Sequence, residues 1–352
     1  MKAPTTTTPK LGWGMANAVI PKYLENHMNV FLTGMPGIGK TALIDKIAKD
    51  HGYDVVKIHL AISDPTDLKG LPVWFETKGG VKKACFIPFD ELEALINAKR
   101  KTIAFFDDFG QAPDICQAGA MQLFHGGRLN GIQISKHVRF VACSNRKQDR
   151  AGVQNVLEPI KSRFHMICEL VPELEPFLQY GINEGWSPVL IAFMRNRPEW
   201  LTGGEGGWKP SKDIVNQANP RAIHHLADVV RLQLDKIACL TCYAGAVGEA
   251  MANEYFAFEQ LVVHLPDLDV VCKNPDAAEV PKAADTMYAM MGALHGRMNQ
   301  GNLENIYKYI RRAFTKEMQM VFHLDVENYN KDLIQNRGWI KWSVDNGSKL
   351  TN

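Results

Sequence analysis

One octapeptide constrains this chain more than any other feature. Gly34-Met35-Pro36-Gly37-Ile38-Gly39-Lys40-Thr41 satisfies the pattern G-x-x-x-x-G-K-[ST]. By chance such a match arises in on the order of one or two per cent of chains this long. Its context adds weight. Residues 29–33 form an apolar run that reads as a strand. Residues 41–49 place Ala42, Leu43, Ile47 and Ala48 at helical spacing. A strand, a glycine-rich loop and a helix make a phosphate cradle. Glycines let backbone N–H groups curl around phosphate oxygens, and the helix N-terminus adds partial positive charge. Gly34, Met35, Pro36, Gly37, Ile38, Gly39, Lys40, Thr41 and Ala42 are therefore the expected nucleotide-binding residues. Lys40 is expected at the β- and γ-phosphates, and the Thr41 hydroxyl at Mg²⁺.

A second signal lies 67 residues beyond Lys40, where Ile103-Ala104-Phe105-Phe106 ends in Asp107-Asp108. The spacing predicts a buried strand over 102–106 with two carboxylates at its end. Asp107 is expected to complete the metal site with Thr41, and Asp108 to orient and polarise the attacking water.

Further apolar runs at 54–60, 137–144 and 165–170 alternate with helical patterns. That alternation predicts an α/β unit with a parallel sheet covered by helices. After Pro172 strand signals vanish. Helical period marks 173–183, 188–197, 219–262, 284–298 and 302–324, with Gly203, Gly204, Gly206 and Gly207 in a loop between two of them. Residues 1–10 read as a flexible tail. With 352 residues, about two domains are expected. Lys+Arg 40 against Asp+Glu 38 leaves a net charge of +2, which disfavours a strongly basic nucleic-acid binder. No apolar run approaches the ~18 residues of a membrane helix. The seven scattered cysteines suit reduced thiols in a cytoplasm.

With these motifs in order, the chain resembles the AAA+ ATPases, and within them the MoxR-like, dynein-related branch. The resemblance covers about residues 11–245 and, more loosely, the rest. Phe140-Val141-Ala142-Cys143-Ser144-Asn145 matches the strand that ends in the family's sensor-1 residue, which implies Asn145. Leu157-Glu158-Pro159-Ile160-Lys161-Ser162-Arg163-Phe164 matches the segment before the fifth strand, which implies Arg163 as arginine finger. Asn219-Pro220-Arg221-Ala222 matches the sensor-2 motif opening a lid helix, which implies Arg221 at the nucleotide. The resemblance implies an αβα nucleotide-binding domain over 11–172, a helical lid over 173–262 and a helical C-terminal extension over 263–352. It implies sheet order 5-1-4-3-2, with Arg163 too far from its own phosphates and reaching a neighbour's. The resemblance implies a homo-oligomeric ring, a hexamer in this family. Relatives often remodel or activate a partner protein and work with a von Willebrand factor A protein. Two hairpins support this branch, one around Lys78-Gly79-Gly80, where residues 74–76 pair with 81–83, and one over 126–134. One departure matters: the usual Asp-Glu pair is Asp107-Asp108 here. The shorter acid implies slower hydrolysis or a switch-like use of ATP.

Other signals read blandly. Cys239-x-x-Cys242 with His224-His225 has the ligand types for zinc, yet the pattern around it is a helix, where such cysteines pack as small apolar residues. Lys82-Lys83 and Lys99-Arg100-Lys101 read as solvated faces. Arg146, Lys147 and Arg150 fit a subunit interface, extra phosphate contacts or a surface loop. Trp339 and Trp342 read as anchors of the C-terminal segment. A DNA-acting motor or loader and a nucleotide-gated scaffold are the alternative functions. A small-molecule kinase would have no use for the sensor and finger residues. Nothing in the sequence fixes the base, so GTP stands beside ATP.

Overall fold

The computed structural model describes residues 8–129, 131–149, 156–202 and 213–347. The chain divides into two compact units, Met1–Pro172 and Glu173–Asn352.

The first unit is built on β1 (Lys10–Gly12), α1 (Trp13–Glu25), β2 (Val30–Gly34), α2 (Lys40–His51), β3 (Asp54–Ile58), α3 (Pro65–Lys69), β4 (Leu71–Glu76), β5 (Lys82–Ile87), α4 (Asp90–Ile96) and β6 (Thr102–Phe106). It continues through α5 (Asp114–Gly126), β7 (Arg128–Leu129), β8 (Ile132–Gln133), β9 (Val138–Asn145), α6 (Glu158–Lys161) and β10 (Met166–Val171). Six strands form one parallel sheet in the order β1-β10-β2-β9-β6-β3. The five strands from β10 to β3 reproduce the expected 5-1-4-3-2 order. Strand β1 is an addition at the edge: Lys10 pairs with Glu169, and Glu169 N–H donates to Pro9 O at 2.8 Å. Lys10 therefore belongs to the sheet, which shortens the tail expected over 1–10.

Strand β6 is buried at every residue and β9 at all but Asn145, as helices on both faces require. One face gathers Phe31, Ala104, Phe106, Phe140 and Ala142 with Phe109, Phe124 and Phe164 in a single cluster. Its rings meet edge-on, Phe106 with Phe124 at 5.0 Å and Phe31 with Phe164 at 5.2 Å. Both expected hairpins form: Phe75 pairs with Lys83 and Glu76 with Lys82, and Arg128 pairs with Gln133.

The second unit is helical: α7 (Leu174–Asn183), α8 (Pro188–Asn196), α9 (Glu199–Thr202), α10 (Pro220–Arg231), α11 (Lys236–Val247), α12 (Glu249–Val263), α13 (Leu268–Lys273), α14 (Ala284–Arg297), α15 (Leu303–Ala313), α16 (Lys316–Tyr329) and α17 (Arg337–Asn346). The helical period over 219–262 resolves into three helices. Asp235 caps α11 through Ile237 N–H, and Gly248, at φ 86°, turns the chain into α12. Likewise 302–324 splits at Thr315, whose hydroxyl accepts from Met318 N–H. The four glycines between 203 and 207 lie outside the described residues. Two apolar clusters fill the unit, one centred on α7 to α12 and one on α13 to α17. In the second, His323 lies between Trp339 and Trp342, with ring centroids at 4.6 and 4.2 Å.

Candidate nucleotide site

Parallel strands present their C-terminal ends together, and that is where the motif residues meet. Gly34 closes β2 and pairs in register with Asn145, the last residue of β9. Phe106 pairs with Ala142, so Asp107 and Asp108 emerge from β6 beside them. The loop from Met35 through Pro36, Gly37, Ile38 and Gly39 then turns into α2. Gly37 at φ 76° and Gly39 at φ 96° occupy the left-handed region that a Cβ disfavours. The pattern's glycines sit where the backbone demands them. Ala42 lies exposed in the first turn of α2.

Lys40 is buried (7% exposed). Its Nζ donates to Gly34 O at 3.0 Å, Met35 O at 3.2 Å and Asn145 Oδ1 at 2.8 Å. All three ammonium protons thus meet neutral oxygens. Burial pushes its pKa down, while Asp107 and Asp108 nearby oppose that shift. Such a cation is hydrogen-bonded yet short of negative charge, the condition under which an anionic phosphate is favourable. Thr41 Oγ1 donates to Asp107 Oδ2 at 2.8 Å. A hydroxyl and a carboxylate side by side at a helix N-terminus are hard oxygen donors that fit Mg²⁺ beside a phosphate.

Asp108 is connected on two sides. Its backbone N–H donates to Asp107 Oδ1 at 3.0 Å, and its Oδ1 accepts from Asn145 Nδ2 at 3.2 Å. The Asn145 amide therefore bridges Lys40 to Asp108 through its two ends. Asp108 also adopts φ 49°, one of three non-glycine residues at positive φ among those described. That conformation costs an L-residue about 1–2 kcal/mol, least for Asp and Asn.

The structure brings Lys40, Thr41, Asp107, Asp108 and Asn145 together. Arg163 is elsewhere. Its carbonyl accepts from Asn29 Nδ2 at 3.0 Å, at the start of β2. Five residues of strand, roughly 17 Å at ~3.3 Å each, separate that point from Gly34. The Arg163 guanidinium folds back on the carbonyl of Pro159, and its Nε is buried without a hydrogen-bond partner. Arg221 belongs to the second unit. It is exposed at the second position of α10, where Pro220 opens the helix and Asn219 Oδ1 caps Ala222 N–H at 3.0 Å.

Arg146 is engaged in ion pairs, with Asp149 at 2.8 Å and Glu169 of β10 at 2.9 Å. Those pairs tie the loop after β9 to β10, which lies beyond β2 in the sheet, a structural use of Arg146. Lys147 sits in the short helical turn beside it, and Arg150 lies outside the described residues. Cys239 Sγ donates to Leu234 O, and His224 packs against Tyr180 and Trp186. No trio of His, Cys, Asp or Glu converges among the described residues. No helix among them is long and apolar enough to cross a membrane. The seven cysteines are free thiols. Sequence reasoning missed two buried amides near Arg163, Asn29 and Gln117, whose partners are backbone groups distant in sequence.

Residues 30–170 match the model of the ATPase family associated with various cellular activities (AAA). No curated protein matches the chain. Among solved structures, the Thermotoga maritima RuvB Holliday junction branch migration motor is similar at 14% identity and TM-score 0.34, covering 95% of this chain and 86% of that one. A variant of the same RuvB aligns at 14% identity and TM-score 0.38, covering 90% and 93%. NtrX from Brucella abortus aligns at 13% identity and TM-score 0.35, covering 90% and 68%. The family match over residues 30–170 and the parallel αβα sheet mark the first unit as an AAA ATPase domain, which indicates nucleoside triphosphate hydrolase activity.

Proposed function

We propose that this domain hydrolyses ATP with Mg²⁺ in an oligomeric ring and uses the cycle to remodel or activate a partner protein. The observation that carries the reading is the linked set Lys40–Asn145–Asp108 beside Thr41–Asp107, at the ends of adjacent strands. In this reading the loop N–H groups and Lys40 hold the phosphates. Thr41 and Asp107 would hold Mg²⁺, which neutralises charge on the β- and γ-phosphate oxygens when bound. Asp108, steered by Asn145, orients the attacking water. Asn145 changes partners as phosphate draws the Lys40 ammonium, so the same amide reports the γ-phosphate to the acid.

Arg163 is the basis for the ring. The Arg163 carbonyl is held at Asn29, five strand residues or roughly 17 Å from Gly34, and a guanidinium carried on that segment suits a neighbour's nucleotide better than its own. Arg221 is proposed as a nucleotide contact on the Asn219-Pro220-Arg221-Ala222 motif alone. The MoxR-like branch, a hexamer and a von Willebrand factor A partner are supported by the two hairpins and the motif order alone. Seven free thiols and near-zero net charge fit a cytoplasmic protein-directed machine better than a DNA motor.

The test mixes two variants, Arg163→Ala and Lys40→Ala, each expected to be nearly inactive alone. In a mixed ring a Lys40→Ala subunit keeps Arg163 and serves the intact phosphate loop of an Arg163→Ala neighbour. Activity should partly return. Demonstrated subunit exchange without recovered activity would remove the trans role of Arg163, and full activity of Arg163→Ala alone would make it a surface residue.

A further inference from the structure

Two buried side-chain amides grip the segment that carries Arg163, one from each side. Gln117 on α5 is fully enclosed, at 0% exposure. Its Nε2 donates to Ala112 O at 3.0 Å, and its Oε1 accepts from Leu157 N–H at 3.2 Å. Each end of that amide leads somewhere functional. Toward the site, Ala112 ends the short turn that begins at Asp108. Gln111 N–H donates to Asp108 O at 2.9 Å and Ala112 N–H to Phe109 O at 3.1 Å. Toward the finger, Leu157 caps α6, and its carbonyl accepts from Ile160 N–H at 2.9 Å. Arg163 N–H donates in turn to Ile160 O at 2.9 Å. Backbone and one glutamine side chain therefore join the water-orienting acid to the arginine segment.

Asn29 completes the grip. Its Nδ2 donates to Phe124 O at 2.9 Å and to Arg163 O at 3.0 Å. Its backbone N–H donates to His165 Nδ1 at 3.0 Å, and its carbonyl accepts from His165 N–H at 2.9 Å. Phe164, between the two, packs on Phe124 at 4.8 Å and Phe31 at 5.2 Å. Asn29 and Phe164 fix the far side of the segment to the sheet. Gln117 supplies a hydrogen-bonded link from its near side to the loop after Asp108, beside the ring contacts of Phe109 with Phe31 and Phe124.

We propose that Gln117 is a positioning residue that sets the Arg163 segment against the Asp108 loop, so that each subunit presents its finger in register with its own site. The inference rests on the reading that Arg163 acts on a neighbour. An amide suits the task because it donates and accepts at opposite ends. Leu can do neither, and an ionised Glu can accept from Leu157 but not donate to Ala112. Either change leaves a buried backbone group without its partner, and the segment relaxes around it.

The experiment uses Gln117→Leu and Gln117→Glu in the full chain. Both should bind ATP within about twofold of the parent, while hydrolysis falls on the order of 10²-fold, the cost of a ~1 Å misplacement. Gln117→Glu should recover activity as pH falls, because the protonated acid regains the donor that Ala112 needs. Mixing assigns the defect. Gln117→Leu with Lys40→Ala should recover activity, because Lys40→Ala subunits bring sound fingers. Gln117→Leu with Arg163→Ala should not. The reverse pattern would mean that Gln117 serves its own subunit's Asp108 and overturns the proposal. Parental activity in both variants, or recovery in neither mixture while Arg163→Ala with Lys40→Ala recovers, also overturns it. Failure of that reference mixture removes the trans reading itself, and this proposal with it. Circular dichroism and thermal midpoints monitor folding. Should Gln117→Leu not fold, the pH profile and mixtures of Gln117→Glu decide.

Discussion

Lys40 carries an ammonium whose three protons are met by two carbonyls and one amide oxygen, all uncharged. Its burial is unfavourable until a phosphate arrives, which stores binding energy for the nucleotide. Lys40→Ala should therefore weaken ATP by at least ~10²-fold, in line with several kcal/mol for a charge pair out of water, without unfolding the chain. A calorimetric titration with unchanged affinity would remove the phosphate-loop assignment. Asp108 poses a different problem, because its backbone sits at φ 49°. Asn tolerates that region, whereas Ala pays about 1 kcal/mol there. Asp108→Asn should keep ATP affinity and stability and lose hydrolysis on the order of 10²-fold. Asp108→Ala should lose hydrolysis equally and also melt at lower temperature. Equal melting of the two variants would mean that the positive φ costs nothing. An undiminished rate in Asp108→Asn would move the water-orienting role to another group.

Elements of this chain are joined at points where one small residue decides. On α14, Gly292 faces α8: a Cβ there would lie 2.7 Å from Pro188 O and 2.9 Å from the Ala192 Cβ. Backbone cannot yield as a flexible side chain can. Gly292→Ala should therefore destabilise the second unit by about 1–3 kcal/mol despite the better helix propensity of Ala. Urea unfolding would check this, and a stabilised variant would show that the helices part without cost. Such close approaches are invisible in sequence, since a glycine inside a helical pattern resembles any other. The phosphate loop was readable for the opposite reason. Gly37, Gly39, Lys40 and Thr41 fall within five consecutive residues, and their chemistry acts through local backbone. Asp107 was readable from a local pattern, an apolar strand ending in carboxylates, whereas Asn145 rests on the resemblance to the AAA+ sensor-1 strand. Gln117 and Asn29 carry no such mark, because they recognise carbonyls 5 to 134 residues away. Strand β1 was missed because three residues show no period, and its partner is the distant Glu169–Val171 stretch. The breaks at Thr315 and Gly248 lay inside continuous helical period, which sees burial but not caps.

At the scale of the whole molecule, acid should unfold the chain through its second unit. His295 is enclosed between Phe322 and Tyr329, with centroids at 4.4 and 4.9 Å, beside the Arg195 guanidinium. Burial lowers its pKa to about 3. His323, held by Tyr307 OH at 2.8 Å and Ser343 Oγ at 2.9 Å between two indoles, is lowered by burial to about 4. Asp325 lies nearby, paired with Arg195 at 2.7 Å, and burial raises its pKa to about 6. The signs oppose. Each histidine is neutral when folded and charged when unfolded below about 6.5, so its stabilisation is present above that pH and lost as pH falls toward the folded value. Asp325 binds its proton earlier in the folded state, so between about pH 6 and the ordinary carboxylate value of ~3.9 it offsets one histidine. Two protons against one leave a net uptake of one on unfolding. These three groups together should lower stability by about 1.4 kcal/mol per pH unit from roughly pH 6 to pH 4, while Glu259, whose carboxyl burial also pushes up, works against them. Trp186, Trp200, Trp339 and Trp342 lie in the second unit and Trp13 and Trp74 in the first, so indole fluorescence during urea unfolding at stepped pH reads the second unit in a Trp13→Phe, Trp74→Phe background. His323→Gln, which retains a donor and an acceptor, should remove one proton from the balance and lower the slope by about 1.4 kcal/mol per pH unit over that range. An unchanged slope in that variant would show that His323 titrates in the folded chain as it does in the unfolded one, and that its burial between the indoles is not maintained in solution.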